Sequence, residues 1–216
     1  MEIIKFNLSG EWNDLDNKII QIAVGVIQRG GSIVYPTDTV YGLGVRALKE
    51  YDIERLFKIK KRPETKPIPI MIRDIKMAKE LAYIDKKIEK VLESVWPGPV
   101  TVVLEKRSVV PNALTANKKT IGLRIPDCPF TQLLMEKLAE PITATSANLS
   151  GQEPLSSSRE IIKVFDKAYP RPDLILDAGN LVNRQPSTVL DLTGSQPKIL
   201  RVGPVTKKEL MDIFKE

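Results

Sequence analysis

The chain has 216 residues, 42% hydrophobic and 28% charged, with 33 Lys and Arg against 27 Asp and Glu for a net charge of +6, one cysteine and no histidine. A length of this order suits one globular domain that buries roughly 70–75% of its unfolded surface, so its core needs neither disulfide nor metal. Without histidine there is no Ser-His-Asp or Cys-His nucleophile, no Cys/His zinc site and no side chain with an unperturbed pKa near neutrality, so any catalysis runs on carboxylates, hydroxyls, Lys, Arg, backbone amides or a bound cofactor.

The N-terminus, Met1 to Asn7, lacks the long apolar segment of an export signal, and no apolar run approaches the roughly 18 residues of a membrane span. With Cys128 unable to pair within the chain, a reducing, cytoplasmic location is expected. A short strand is predicted at Ile3–Leu8. Ile19, Ala23, Val26 and Ile27 then recur at helical spacing, and Gly30-Gly31 stops that helix. Ser32–Tyr35 reads as a buried strand ended by Pro36. A second helix carries Ile53, Leu56 and Phe57 and ends near Lys60, because Pro63 disfavours helical backbone beyond that point.

Ile68–Ile72 reads as a strand made irregular by Pro67 and Pro69. Helices come next from about Asp74 and through Ile88, Val91, Leu92 and Val95. Trp96-Pro97-Gly98-Pro99 breaks the chain before a strand at Val100–Leu104. The pattern continues with a strand at Thr120–Ile125, a helix at Phe130–Leu138, a strand at Ile142–Thr145 and a helix at Ser158–Phe165. Strands at Leu174–Leu176, Thr188–Leu192 and Ile199–Val202 precede a closing helix, where Thr206 and Glu209 have capping-box spacing. The expected architecture is a single α/β domain with one twisted, mixed sheet.

No phosphate-loop or dinucleotide fingerprint is present, so a nucleotide would need another device. Tyr35–Gly44 runs a hydrophobic strand into hydroxyls, a carboxylate and glycines, as at the ligand-bearing strand ends of α/β proteins; a Thr/Asp turn with glycines for positive φ would explain it equally. Lys58 to Lys66 holds five cations in nine residues, suited to a polyphosphate, although a helix C-terminus favours some of them anyway. The +6 charge admits a nucleotide or RNA partner and equally a solvated Lys-rich surface. Trp96 is read chiefly as a packing anchor. Arg124 lies in a half-buried strand and must meet a carboxylate, internal or from a ligand. Thr143–Gly151 places hydroxyls and an amide after a strand, as an anion nest requires, and Pro186-Ser187-Thr188 with Arg201 adds hydroxyls and a second strand-borne arginine.

In this order the segments resemble the YrdC family, whose active members are L-threonylcarbamoyladenylate synthases. The resemblance spans about Ile19 to Gly203. It rests on Pro36–Leu43, Lys60 with Arg62, Trp96–Pro99, the Arg124 strand, Ser146 with Asn148, and Pro186–Thr188 with Arg201. It implies one YrdC-like domain over residues 1–216, with helices and a twisted mixed sheet around a large basic concave cavity, and without the additional C-terminal domain of longer synthases. The implied reaction joins L-threonine, bicarbonate and ATP into threonylcarbamoyl-AMP and pyrophosphate. A partner of the TsaD/Kae type then uses the product to modify the adenosine beside the tRNA anticodon.

By the same resemblance Lys60 and Arg62 are catalytic and hold ATP phosphates, with Lys66, Thr120, Ser146, Asn148, Pro154 and Arg201 completing the ATP site. Thr39, Met71, Arg124, Ala144 and Ser187 form the threonine site, with Arg124 on the carboxylate. Mg²⁺ accompanies ATP on phosphates and water, and no tightly bound organic cofactor is implied. The wording after the Ser-x-Asn element, Gly151–Ser156, departs from the family's commonest form, which bears on the contact of Pro154 with the nucleotide. The competing reading is a YrdC-like paralogue that binds nucleotide or double-stranded RNA with little synthase activity. Hydrogenase-maturation relatives need length and cysteines that this chain lacks.

Overall fold

A computed structural model describes residues 1–8, 14–182 and 185–214. In chain order the elements are β1 (Glu2–Lys5), α1 (Asp14–Gln28), β2 (Ile33–Tyr35), β3 (Gly42–Gly44), α2 (Glu50–Lys60), β4 (Ile70–Met71), α3 (Ile75–Leu81) and α4 (Lys86–Val95). They continue with β5 (Val100–Glu105), α5 (Asn112–Thr115), β6 (Thr120–Arg124), α6 (Pro129–Leu138), β7 (Ile142–Thr143) and β8 (Thr145–Ser146). The last are α7 (Ser158–Asp166), β9 (Leu174–Asp177), β10 (Thr188–Asp191), β11 (Lys198–Arg201) and α8 (Lys207–Ile213). None of the described helices is long and apolar enough to cross a membrane.

Local chemistry sets most of these boundaries. The α1 stripe of Ile19, Ile20, Ala23 and Ile27 is buried, and Gly30 ends the helix at φ +80°, its N–H bonding the Ile27 carbonyl at 2.9 Å. Asp74 and Asp85 cap α3 and α4 by accepting from the Met77 and Ile88 amides. The expected capping box of Thr206 and Glu209 opens α8. Lys61 ends α2 in the left-handed region at φ 49°, and the amides of Lys61 and Arg62 bond carbonyls of its last turn.

The α/β class holds, but the strands divide between two mixed sheets where the sequence suggested one. Five strands run β1-β9-β2-β3-β8, and six run β11-β10-β5-β6-β4-β7. The segment expected as one strand over 142–145 is the reason: it breaks at Ala144, leaving β7 in the larger sheet and β8 in the smaller. Thr143 fastens the join. Its carbonyl accepts from the Tyr35 hydroxyl at 2.9 Å, its amide bonds Val45 O at 2.9 Å, and its hydroxyl donates to Leu43 O at 3.1 Å.

Two further differences have simple causes. The β4 pairing covers only Ile70 and Met71; Ile68 N instead bonds Leu114 O in α5, a one-turn helix with no apolar periodicity to announce it. Gly42 and Gly44 form β3 and are required by space, not by positive φ. A Cβ on Gly42 would lie 2.5 Å from the buried Tyr35 ring opposite it, and one on Gly44 2.9 Å from the same ring. We expect Gly42→Ala to destabilise by about 1–3 kcal/mol through overpacking, a fall of roughly 2–12 °C in Tm for a domain of this size. Differential scanning calorimetry checks this, and an unchanged Tm would mean the ring yields freely.

Candidate active site

Strand register builds the floor of the site. In β6, Thr120, Gly122 and Arg124 share one face because side chains alternate. Met71 pairs with Arg124, Val189 with both Thr101 and Arg201, and the antiparallel β5/β6 register carried one step on sets Thr101 opposite Arg124. One transverse row therefore reads Arg201, Val189, Thr101, Arg124, Met71. Three strand spacings separate its two arginines, roughly 14 Å at the backbone. Beside the row, Gly122 leaves a gap that Pro69 and Thr101 would contest at 3.2 Å if a Cβ were added.

Above this floor lies a cavity of about 360 Å³. The smaller sheet supplies its opposite wall, with Tyr35, Thr37, Thr39, Gly42, Thr145 and Ser146, and Arg62, Pro67, Pro154 and Pro186 also line it. Among the described residues, three lining side chains are arginines, 62, 124 and 201, and none is a carboxylate. A cavity with those walls suits an anionic ligand.

Arg124 is 7% exposed. Its Nε donates to Gly98 O at 3.0 Å, Nη1 to Thr39 Oγ1 at 2.9 Å, and Nη2 to Asp38 Oδ1. Burial pulls its pKa below the usual arginine value, and Asp38 opposes that pull. The carboxylate demanded by a strand-borne arginine is thus internal, and two of the five guanidinium N–H groups remain beyond these three bonds. Proton directions in the neighbouring hydroxyls are fixed. Thr37 donates to Val40 O at 2.7 Å, so in the 3.0 Å contact between the two threonines it is Thr39 that donates.

At the other end of the row, Arg201 grips Ser187 O through Nε at 3.0 Å and Nη2 at 2.7 Å, and Thr101 Oγ1 lies 2.8 Å from Ser187 Oγ. Burial first, then the charge of Arg124, lowers the Arg201 pKa. At the rim, Arg62 bonds the carbonyls of Lys66 and Pro67 at 3.1 and 2.9 Å, and burial lowers its pKa too.

The five positions expected for the amino acid, Thr39, Met71, Arg124, Ala144 and Ser187, all line this cavity. Of those expected for the nucleotide, Arg62, Ser146, Pro154 and Arg201 line it, while Lys60, Lys66, Thr120 and Asn148 do not. Lys60 is 1% exposed, and its ammonium donates to Ser146 O, to Asn148 O at 2.8 Å and to Asn148 Oδ1 at 3.2 Å. Those bonds use all three of its N–H groups. It secures the Ser-x-Asn loop from beneath, helped by Ser150 N on Lys60 O at 2.8 Å. Asn148 belongs to the same base, accepting from Ser146 Oγ and donating to Gln152 O. The Lys66 side chain is exposed, and Thr120 sits beyond Gly122 opposite Glu105. Tyr35 and Thr37 lie in the Tyr35–Gly44 segment that the sequence offered as a ligand-bearing strand end, whereas Thr101 was not expected in the site; its place in β5, opposite Arg124 in the strand register, was the available signal.

Comparison with known proteins bears on this arrangement. The model of the Sua5, YciO and YrdC family, described as telomere recombination, matches residues 25–203. A threonylcarbamoyl-AMP synthase of Pyrococcus abyssi (strain GE5 / Orsay) is 36% identical over 198 residues, covering 91% of this chain and 57% of that protein. The uncharacterized protein YciO of Escherichia coli (strain K12) is also 36% identical, over 187 residues, covering 86% of this chain and 89% of YciO. The crystal structure of P. abyssi Sua5 complexed with L-threonine matches at a TM-score of 0.90 and 35% identity, over 99% of this chain and 61% of that one. The chain thus spans less than two thirds of the Pyrococcus protein.

The Lys60 anchorage has a pH signature. Burial, assisted by the charge of Arg62, lowers its pKa to about 7. Below that pH the ammonium has three donors and a positive charge; above it, one donor and the charge are lost, so anion binding favours the acidic side. We expect the affinity for inorganic pyrophosphate, measured by calorimetry, to fall about fivefold from pH 6 to pH 8, the value of roughly one hydrogen bond. Lys60→Met should bind weakly with a flatter profile, and an equally steep profile in that variant would refute the assignment.

Proposed function

The chain belongs to the Sua5/YciO/YrdC family, and on that premise we propose that it is a threonylcarbamoyl-AMP synthase. The observation that carries the reading is the carboxylate-free cavity with separate cationic poles at Arg124 and Arg201 and a third arginine at its rim. Two anionic substrates, an amino-acid carbamate and a nucleoside triphosphate, call for such a division.

In this reading the threonine ammonium first gives one proton to solvent; the free amine then attacks the carbon of bicarbonate, forming the C–N bond, and a second proton from nitrogen leaves with the displaced hydroxide as water. A carbamate oxygen then attacks the α-phosphorus of ATP, and the bond to the β-phosphate oxygen breaks to release pyrophosphate. The protein forms no covalent intermediate; its work is alignment and neutralisation of charge. The two further N–H groups of Arg124 take the threonine carboxylate, beside Thr39, Met71, Ala144 and Ser187. Arg62 and Arg201 hold the phosphates with Ser146 and Pro154 along the wall, while Lys60 and Asn148 act through the loop beneath.

Among the described residues no group of three or more Asp, Glu or Cys could hold a metal ion. Mg²⁺ therefore fits here as part of the ATP substrate, coordinated by phosphates and water, and the steps above use the chain's own residues. The product is a mixed anhydride activated for transfer to an amine, the chemistry a TsaD/Kae-type partner would use on tRNA.

Pyrophosphate release from ATP should require threonine and bicarbonate together, with threonylcarbamoyl-AMP detected by mass spectrometry. Release indifferent to either substrate would remove the synthase reading in favour of a nucleotide-binding paralogue. Arg124→Lys, which keeps a charge for Asp38 but loses the fork, should raise the threonine KM about ten- to a hundredfold, the cost of a charge-assisted contact. Arg62→Ala should act mainly on the ATP KM, and equal effects of both variants on both substrates would contradict the division.

A further inference from the structure

We propose that Thr101 is a further catalytic residue: its hydroxyl ends a proton-ordered chain that runs from Arg201 through Ser187, and it donates to the bicarbonate that becomes the carbamate. The inference rests on the synthase reading and adds the seat of its smallest substrate.

Thr101 and Ser187 are each 6% exposed, and both line the cavity. Their hydroxyl oxygens lie 2.8 Å apart, and Ser187 Oγ also accepts from Arg201 Nη2 at 3.2 Å. A guanidinium can only donate, so the chain has a fixed start. A hydroxyl that accepts a charge-assisted bond is polarised into a better donor, and Ser187 therefore gives its proton to Thr101 Oγ1. The Thr101 proton is left over. Among the described residues Thr101 Oγ1 bonds Ser187 alone, so no internal acceptor faces that proton. Buried donors are seldom left unmatched, and this one is placed to meet a ligand atom in the cavity it lines.

The row on the cavity floor says which atom. Between Arg201 and Arg124 it holds Val189, which is apolar, and Thr101, the one hydrogen-bonding side chain of that interval. Thr101 stands one strand spacing from Arg124, roughly 4.8 Å at the backbone. With the threonine carboxylate on Arg124, the carbamate carbon is three bonds from the carboxylate carbon, none longer than about 1.5 Å, and so lies within roughly 4 Å of it. That reach ends over Thr101, with the α-phosphate further along toward Arg201. Bicarbonate must wait at the same place for the amine. As the amine adds, negative charge gathers on the bicarbonate oxygens, and a donor already aimed at one of them stabilises that state without reorganisation. In the carbamate the same bond fixes one oxygen and leaves the other to attack phosphorus.

The test follows pyrophosphate release in bicarbonate-depleted buffer with bicarbonate added back, for the wild type, Thr101→Val and Thr101→Ser. Thr101→Val keeps the volume and removes the donor, and kcat/KM for bicarbonate should fall roughly ten- to a hundredfold. The KM values for threonine and ATP should stay within about threefold of the wild type. Thr101→Ser returns the hydroxyl and should recover at least about fivefold of the loss seen with valine. A merely structural role would move all three substrates together, and the smaller serine would not repair it. An unchanged bicarbonate kcat/KM in folded Thr101→Val overturns the inference. So does a rise in the threonine KM instead, which would put the hydroxyl on the carboxylate; both results leave the synthase intact. Should Thr101→Val not fold, Thr101→Ala decides by the same split. Wild-type release that is indifferent to threonine and bicarbonate overturns the synthase reading itself, and this inference with it.

Discussion

The structure depends on one buried guanidinium. Arg124 sits in β6 of the larger sheet, yet its three internal partners come from elsewhere: Asp38 and Thr39 from the segment after β2, and the Gly98 carbonyl from the turn before β5. A buried charge left without such partners costs several kcal/mol, so the two sheets are bound to approach where they do. The cavity is the space this constraint leaves, roofed by one sheet and floored by the other.

Two buried cations contribute in different ways, and donor counting says why. Lys60 has three N–H groups and three internal acceptors, so it is consumed as a fastening for the Ser146 to Gln152 loop. Arg124 has five N–H groups and three internal acceptors, and keeps donors that can serve the cavity it lines. Both stood out in sequence, Arg124 as a cation in a half-buried strand and Lys60 within a run of cations suited to a polyphosphate. Which one would face a ligand did not, because that turns on the number of acceptors folded around each.

The helices were the most legible part, since α1 and α4 carry their apolar stripes and α8 its capping box in a short window. The sheets were less so. Ile142–Thr145 looks like one strand in isolation, and only the long-range bonds of Thr143 and of Ala144 N to Pro69 O divide it. The Gly42-Leu43-Gly44 signal suggested a turn, whereas its cause is the Tyr35 ring from a neighbouring strand. The need for an acid against Arg124 was plain from the sequence; Asp38 emerged as that acid only once the strands were registered.

The break at Ala144 has a consequence for what the cavity can hold. Within five residues the backbone passes from Ile142, paired with Met71, to Ser146, paired with Gly42, and both ends are held by ladder hydrogen bonds. The interval between the Met71 wall and the Ser146 wall is therefore written in covalent bonds rather than in side-chain packing. It works as a length gauge: inserting or deleting one residue there would reverse the faces of a strand and change the span at once. Exchanging the lining side chains would thus alter what the cavity recognises without altering the distance between these two walls.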